Sequence, residues 1–399
     1  MYNRNRFSSS HNTIKIDSYS IVYICFLSAF LLNVSNFVVD YTRFRYFIYG
    51  LQLIGYIIGC VKFLLHSVSI KKLFFVNMIG ILIIITSIQS GETILLSTFL
   101  LIIASRGVNF DNLVKFDLRF RSIGTILIII FSKIGIVSNR IIFRENGAID
   151  MMRESLGFSH PNRLALEILI ISLDIMYIKY KKYSFKDIVV ISFLLIFNVM
   201  VTDGRSSIYC QVILLIFIVF NFIFAKKVKI INSIEMIITK NAYTIFAICI
   251  GFSFYTAISY DYFSDKWAKL NTIFNARIGL AQNAIVSWGI HLLGQNISYI
   301  TTVEAQINNV TNNGIDNMYV YLGVTFGGII LVIFLLFLLF DFRFVIKKGN
   351  IAATFALIII VICGIMENQM LSAESNIFLI CLGGILYKNN FYINDNIDD

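Results

Sequence analysis

The chain has 399 residues, 58% of them hydrophobic and only 14% charged, with a formal net charge of +10. A soluble domain carries about 25% charged residues, and no soluble core has room for this much apolar material, so a soluble globular protein is excluded and a polytopic membrane protein remains. The basic excess does not call for nucleic acid either, because membrane proteins gather Lys and Arg on their cytoplasmic side.

In chain order, apolar segments able to cross a bilayer are predicted at 20–39, 46–64, 72–88, 91–105, 123–139, 163–180, 187–202, 206–225, 241–259, 317–340, 351–366 and 374–387. That makes about twelve transmembrane helices in a single integral membrane domain, 1–399, of all-α class. The first segment is too long for the apolar core of a signal peptide and follows a polar stretch, so it reads as a first span. Cys25, Cys60, Cys210, Cys249, Cys363 and Cys381 all fall inside apolar runs, without a spacing that reads as metal or disulfide, and are expected to be buried free thiols. No internal repeat stands out, so an inverted-repeat transporter is not indicated.

Charge orients these segments. With the N-terminus inside, 22 of the 33 basic residues fall on inner connections, Arg106, Lys115, Arg119 and Arg121 among them. Both termini are therefore expected in the cytoplasm, with the chain in the cytoplasmic membrane. The other 11 are Arg43, Arg45, Lys133, Arg140, Arg144, Arg153, Arg163, Arg205, Lys266, Lys269 and Arg277. Eight of those 11 are arginine, against 6 of 22 inside. Arginine makes bidentate bonds to phosphate and carboxylate, so an arginine-rich outer face points to an anionic ligand. Arg43, Arg45, Arg140 and Arg144 read better as headgroup contacts.

Two outer loops are long, 140–162 and 259–316, the second of 58 residues. Long loops on a compact bundle are usually functional. In the second, Leu270–Trp288 has helical periodicity, with Leu270, Ile273, Leu280, Ala281, Ala284 and Trp288 on one face and Arg277 at its centre. Arg277 then faces protein or the membrane interface. Arg205 follows the short turn at Thr202–Arg205 and lies near the outer boundary, as a ligand contact or an interface anchor; Asp203 reads equally as a helix cap. Pro161, the only proline, sets a helix start and pushes His160 extended, so His160 stands at a loop-to-helix corner whose free amides suit an anion. Arg163, Glu167 and Asp174 follow on one helix face. Arg163 and Glu167, four apart, are spaced to pair, and Glu167 and Asp174 are expected in structural ion pairs.

Five stretches in order resemble the Wzy-type polymerases of O-antigen and capsular polysaccharide, within the superfamily that includes the O-antigen ligases. They are Leu156-Gly-Phe-Ser-His-Pro-Asn162, Thr202-Asp-Gly-Arg-Ser-Ser207, Asn275-Ala-Arg-Ile-Gly-Leu-Ala-Gln-Asn-Ala284, His291-Leu-Leu-Gly-Gln295, and Asp316-Asn-Met-Tyr319 with Leu322-Gly-Val-Thr-Phe-Gly-Gly328. The resemblance covers about 150–330 and the twelve-span plan; each piece is short, and their order and topology carry it.

The resemblance implies a GT-C-like helical bundle and a glycosyltransferase acting at the outer face. The donor would be a glycan on undecaprenyl pyrophosphate, the acceptor another lipid-linked repeat unit, and the anomeric centre would invert. No nucleotide sugar, cofactor or metal is implied, and there is no Asp-x-Asp motif. Partners would be the lipid-linked oligosaccharide, the bilayer and a chain-length regulator. Charge builds on the departing pyrophosphate, and arginines aimed at it stabilise the transition state more than the ground state. Arg205 and Arg277 are the first candidates, Arg153 and Arg163 the second. His160, Glu154, Asp203 and His291 are candidate bases, His160 having the best placement. Arg153, Asn162, Arg163, Asp203, His291, Asp316 and Tyr319 are expected to touch substrate. A ligase of the same superfamily, a lipid-linked oligosaccharide flippase and a secondary transporter are the alternatives. The last predicts polar residues at mid-span on several helices, of which Glu167 and Asp174 are the few visible.

Overall fold

The computed structural model describes residues 18–65, 69–144, 151–300, 305, 310, 312–387 and 391–393. Arg4, Arg6, Lys15 and Lys388 of the inner-face count, and parts of both long outer loops, lie outside the described residues. The helices in order are α1 (Ser18–Asn33), α2 (Phe37–Asp40), α3 (Phe44–Leu64), α4 (Ile70–Ser90), α5 (Ile94–Ile103), α6 (Phe110–Lys133), α7 (Pro161–Lys179), α8 (Phe185–Phe197), α9 (Arg205–Ile223), α10 (Val228–Ser259), α11 (Asp265–Ile273), α12 (Arg277–Trp288), α13 (Met318–Tyr321), α14 (Gly328–Lys347), α15 (Ile351–Cys363) and α16 (Gly383–Tyr387). Single π-helical turns extend α8 over Asn198–Thr202 and α13 over Leu322–Phe326. The architecture is that of an α-helical membrane protein.

The apolar segments differ in kind. Six helical stretches are long and apolar enough to cross a membrane: Phe44–Leu64, Ile70–Ser90, Phe185–Thr202, Arg205–Ile223, Val228–Ser259 and Gly328–Lys347. Their outer faces carry exposed Ile, Leu, Val and Phe, the surface that hydrocarbon covers. The predicted segments 91–105, 351–366 and 374–387 hold shorter elements. α15 is 13 residues long and buried all round, so its apolar character answers to surrounding protein. The 374–387 segment is a 3₁₀ run, Ile377–Leu382, followed by five α-helical residues.

The all-α expectation has one exception. Ile141–Arg144 (β1) and Met151–Glu154 (β2) pair antiparallel inside the first long loop, with Ile142 opposite Arg153. Of the cysteines, Cys60 is exposed on α3 and the other five are buried.

Polar groups tie the bundle together. Asn198 donates to the Ala165 carbonyl at 3.2 Å and to Gln211 Oε1 at 2.8 Å, and Gln211 donates to Ser172 Oγ at 3.0 Å, joining α7, α8 and α9. Buried hydrogen bonds of this kind replace the missing hydrophobic drive between helices in lipid.

Deeper in the bundle lies an ionic cluster. α6 begins well before the predicted 123–139 segment, because Asn109 caps it by accepting from Asn112 N at 3.0 Å. Arg121, predicted on an inner connection, is instead fully buried. It bonds Asp117 through Nε at 2.9 Å and Glu167 through Nη1 at 2.7 Å, and donates to the Glu374 carbonyl. Tyr23 donates to the same Asp117 at 2.9 Å. Glu167 is thus a structural ion-pair partner, as expected, but of Arg121 and not of Arg163. Asp174, expected in an ion pair, is fully buried and makes none among the described residues; its neighbours are Asp117, Arg121 and Glu167.

The two described ends of the chain share one end of the bundle. Lys62 reaches Ser18 at 3.5 Å, and Tyr392 N bonds the Val108 carbonyl at 2.9 Å. The starts of α7, α9 and α13 and the ends of α8, α10 and α15 meet at the other end.

Candidate active site

The first wall is the corner before α7. Gly157 has φ +91, and a Cβ there would stand 2.9 Å from the Ile128 carbonyl oxygen, so glycine lets the turn lie against α6. Phe158 is fully buried, and Ser159 N bonds the Val34 carbonyl at 2.8 Å. His160 is extended and caps α7, its Nδ1 accepting from Asn162 N at 3.1 Å; Pro161 fills the first helical position. The histidine nitrogen facing the helix is therefore engaged. Arg153 on β2 is 4% exposed and donates through Nε to the Thr202 carbonyl at 2.8 Å and through Nη2 to Asn162 Oδ1. Arg153 and Asn162 together clamp the hairpin, α7 and the turn after α8. This ties up groups expected to meet substrate.

Arg163 differs from them. It is half-buried in the first turn of α7, and its guanidinium has no hydrogen-bond or ion-pair partner among the described residues. A cation in the first turn opposes the helix dipole at a cost of about 0.3–1 kcal/mol. Its electrostatic neighbours are Glu367, Asp316, Tyr321 and Glu167.

The second wall is the turn before α9. Asp203 has φ +40 and follows the π turn, its N bonding the Asn198 carbonyl at 2.8 Å. A Cβ on Gly204 would lie 2.4 Å from Ala165 Cβ, so only glycine lets this turn close on α7. Arg205, expected to aim at substrate, is half-buried and makes one bond, Nη1 to the Thr272 carbonyl at the end of α11, at 3.2 Å. It leaves room for a ligand on its other nitrogens.

The third wall is the large loop. The continuous helix predicted over Leu270–Trp288 is two helices. Asn275 (φ +53) and Ala276 (φ +63) adopt left-handed conformations that break it, and Arg277 opens α12 instead of sitting mid-helix. The break turns Ile273 outward to 55% exposure, while Arg277 points into the protein as expected. Arg277 is 4% exposed; its Nη2 bonds Glu367 Oε1 at 2.9 Å, its Nε bonds the Met366 carbonyl at 2.6 Å, and Asp316 Oδ2 lies 3.3 Å away. Burial works against its charge, but Asp316 and Glu367 outweigh burial and hold the guanidinium above its ordinary range. Glu367, 6% exposed, also accepts from Ser206 Oγ at 2.6 Å. Burial pushes its carboxyl up, with Arg277 opposing.

The remaining candidates separate. Asp316 joins Arg277 and keeps 42% of its side chain exposed. His291 is exposed at the loop edge, Nε2 3.1 Å from the Trp288 carbonyl. Tyr319, expected at the substrate, is fully buried and donates to the Val361 carbonyl at 2.8 Å, a strut between α13 and α15. Glu154 bonds Asn139 at 2.8 Å and Lys133 at 3.4 Å, on the outside of the hairpin. Sequence reasoning missed Glu367; an acid beside an arginine-rich outer face was the available signal. No cluster of three or more His, Cys, Asp or Glu suited to a metal occurs among the described residues.

Arg163, Arg277, Asp316 and Glu367 thus converge at one end of the bundle, with Arg205 held on the adjacent α11. Scans against family models, curated proteins and solved structures find no match to this chain.

Proposed function

We propose that the protein is a membrane glycosyltransferase that lengthens a polysaccharide by moving a glycan from undecaprenyl pyrophosphate to the end of another lipid-linked repeat unit. In this reading the chain crosses the cytoplasmic membrane about twelve times with both termini inside, and the site above faces outward. The observation that carries the reading is Arg163: a half-buried, unpaired guanidinium, among the described residues, beside an arginine already fixed by two carboxylates. A departing pyrophosphate supplies the charge that Arg163 lacks. Arg277 cannot swing toward a ligand without leaving Glu367, and Asp316 and Glu367 balance its charge, so it holds the acids in place beside Arg163. Arg205 gives a third, adjustable contact.

The test is polymer formation by purified protein in liposomes supplied with lipid-linked repeats on the side facing the site. Wild type should make polymer and Arg163→Ala should not, with both inserted and folded. Full-length polymer from Arg163→Ala would remove that residue from the site. In cells, deletion leaves single repeat units attached if this is a polymerase, and free unattached polymer if it is a ligase.

A second reading, a carrier for lipid-linked oligosaccharide or another solute, is favoured by the buried cluster. Asp117, Arg121, Glu167 and Asp174 are ionisable groups inside the bundle on two helices, more than the sequence revealed. Translocation across the liposome without polymer would select it.

A further inference from the structure

The short turn between α4 and α5 brings Glu92 to the same end of the bundle. Glu92 is half-buried, its backbone N bonds Ser90 Oγ at 3.2 Å, and its carboxyl faces the Tyr321 hydroxyl. Tyr321 is in turn an electrostatic neighbour of both Glu92 and Arg163. Tyr299 lies 6.0 Å from Tyr321 and Trp288 lies 6.4 Å from Tyr299, ring centre to ring centre, and Tyr299 shares its hydroxyl hydrogen bond with Thr325. The segment holding this wall is fixed, because Gln295 bonds the carbonyls of Trp288, Gly289 and Val324. Arg163 thus has the paired acids Asp316 and Glu367 and the Tyr321 ring among its electrostatic neighbours, and Glu92 has no cation bonded to it among the described residues. Flat rings with a few placed polar groups suit the apolar face of a sugar.

We propose that Glu92 takes the proton from the acceptor sugar hydroxyl, and that Trp288, Tyr299 and Tyr321 form the wall against which this sugar lies. The inference rests on the glycosyltransferase reading. The acceptor O–H bond breaks and its proton passes to Glu92. The freed oxygen forms the new bond to the anomeric carbon. The bond from that carbon to the pyrophosphate oxygen breaks, and its electron pair leaves with the pyrophosphate beside Arg163. Glu92 then returns its proton to water. Burial raises the Glu92 carboxyl, with the Tyr321 hydroxyl partly offsetting it, which brings a carboxylate base toward working pH.

The experiment uses full-length protein in liposomes with an undecaprenyl-pyrophosphate-linked oligosaccharide as donor and acceptor. Glu92→Gln is isosteric, and its fold is checked by monodispersity and melting temperature. We expect kcat to fall about 10²–10⁴-fold with donor binding and KM little changed. Glu92→Ala should regain activity when formate is added, a response a structural role would not give. Wild-type turnover in folded Glu92→Gln, or no formate rescue of Glu92→Ala, overturns the assignment while leaving the polymerase reading intact. A wild type that binds donor yet makes no polymer overturns both.

Discussion

Two arginines near Glu167 show how differently one residue type can be used. Arg121 is sealed: its guanidinium meets Asp117, Glu167 and the Glu374 carbonyl, and the side chains of Arg121, Asp117 and Glu167 are at most 1% exposed. Arg163, one turn from Glu167 on the same helix, is half-buried and makes none of these bonds. A buried charge whose partners are complete is part of the scaffold. One at an opening, in the helix turn where its sign is least favoured, is held there at a cost that something else offsets. Charge inside a membrane bundle is therefore a poor guide to function until its partners are counted.

This contrast can be broken by substitution. The largest effect is expected at Arg121. Arg121→Met strands two buried carboxylates and should cost about 3–5 kcal/mol, read as a collapse of melting temperature or failure to accumulate. Adding Asp117→Asn and Glu167→Gln should restore much of the loss. A single variant that melts like wild type would dissolve the distinction. Next is Glu367→Ala, which frees Arg277 and Ser206 together; about 1–3 kcal/mol is expected, with polymer formation lost as well. Arg163→Ala should leave stability unchanged or raise it by about 0.3–1 kcal/mol, while donor binding falls at least tenfold; a destabilised variant would make Arg163 structural after all. Arg205→Lys is expected to change stability least, within about 0.5 kcal/mol, since lysine can keep the bond to the Thr272 carbonyl, while polymer formation falls for want of a bidentate contact; near-normal turnover would leave Arg205 a charge role alone.

Helical class and the positions of most apolar segments could be read directly, because runs of Ile, Leu and Phe as long as a bilayer is thick seldom occur outside a membrane. The corner at His160–Asn162 was also legible, since Pro161 limits the backbone there. What was not legible depended on neighbours distant in sequence. The break at Asn275–Ala276 uses left-handed residues that carry no glycine signal. Whether α15 meets lipid or protein cannot be told from composition, as both environments are apolar. Arg153 and Arg277 looked alike as outer arginines, and only Asn162, Thr202, Asp316 and Glu367 give each its task. Glu367 fell between two predicted spans and Glu92 at the start of one, and their partners, Arg277 and Tyr321, lie far off in sequence.

The segment from Gly364 to Leu382 has a further consequence, for the order in which the protein is made. It is buried, holds two 3₁₀ runs and no α-helix, and carries Glu367, Glu374, Ser375 and Asn376, so a translocon has no reason to release it into lipid. It must wait for earlier helices to enclose it. Yet it supplies the Glu374 carbonyl to Arg121 and the Glu367 carboxyl to Arg277. Asp117, Glu167 and Asp316 are made earlier, so this late segment adds the last bond to each arginine in a single late step of biogenesis. A chain halted short of residue 364 would leave Arg121 without the Glu374 carbonyl and Arg277 without the Glu367 carboxyl, a state that membrane quality-control proteases can distinguish from the finished protein.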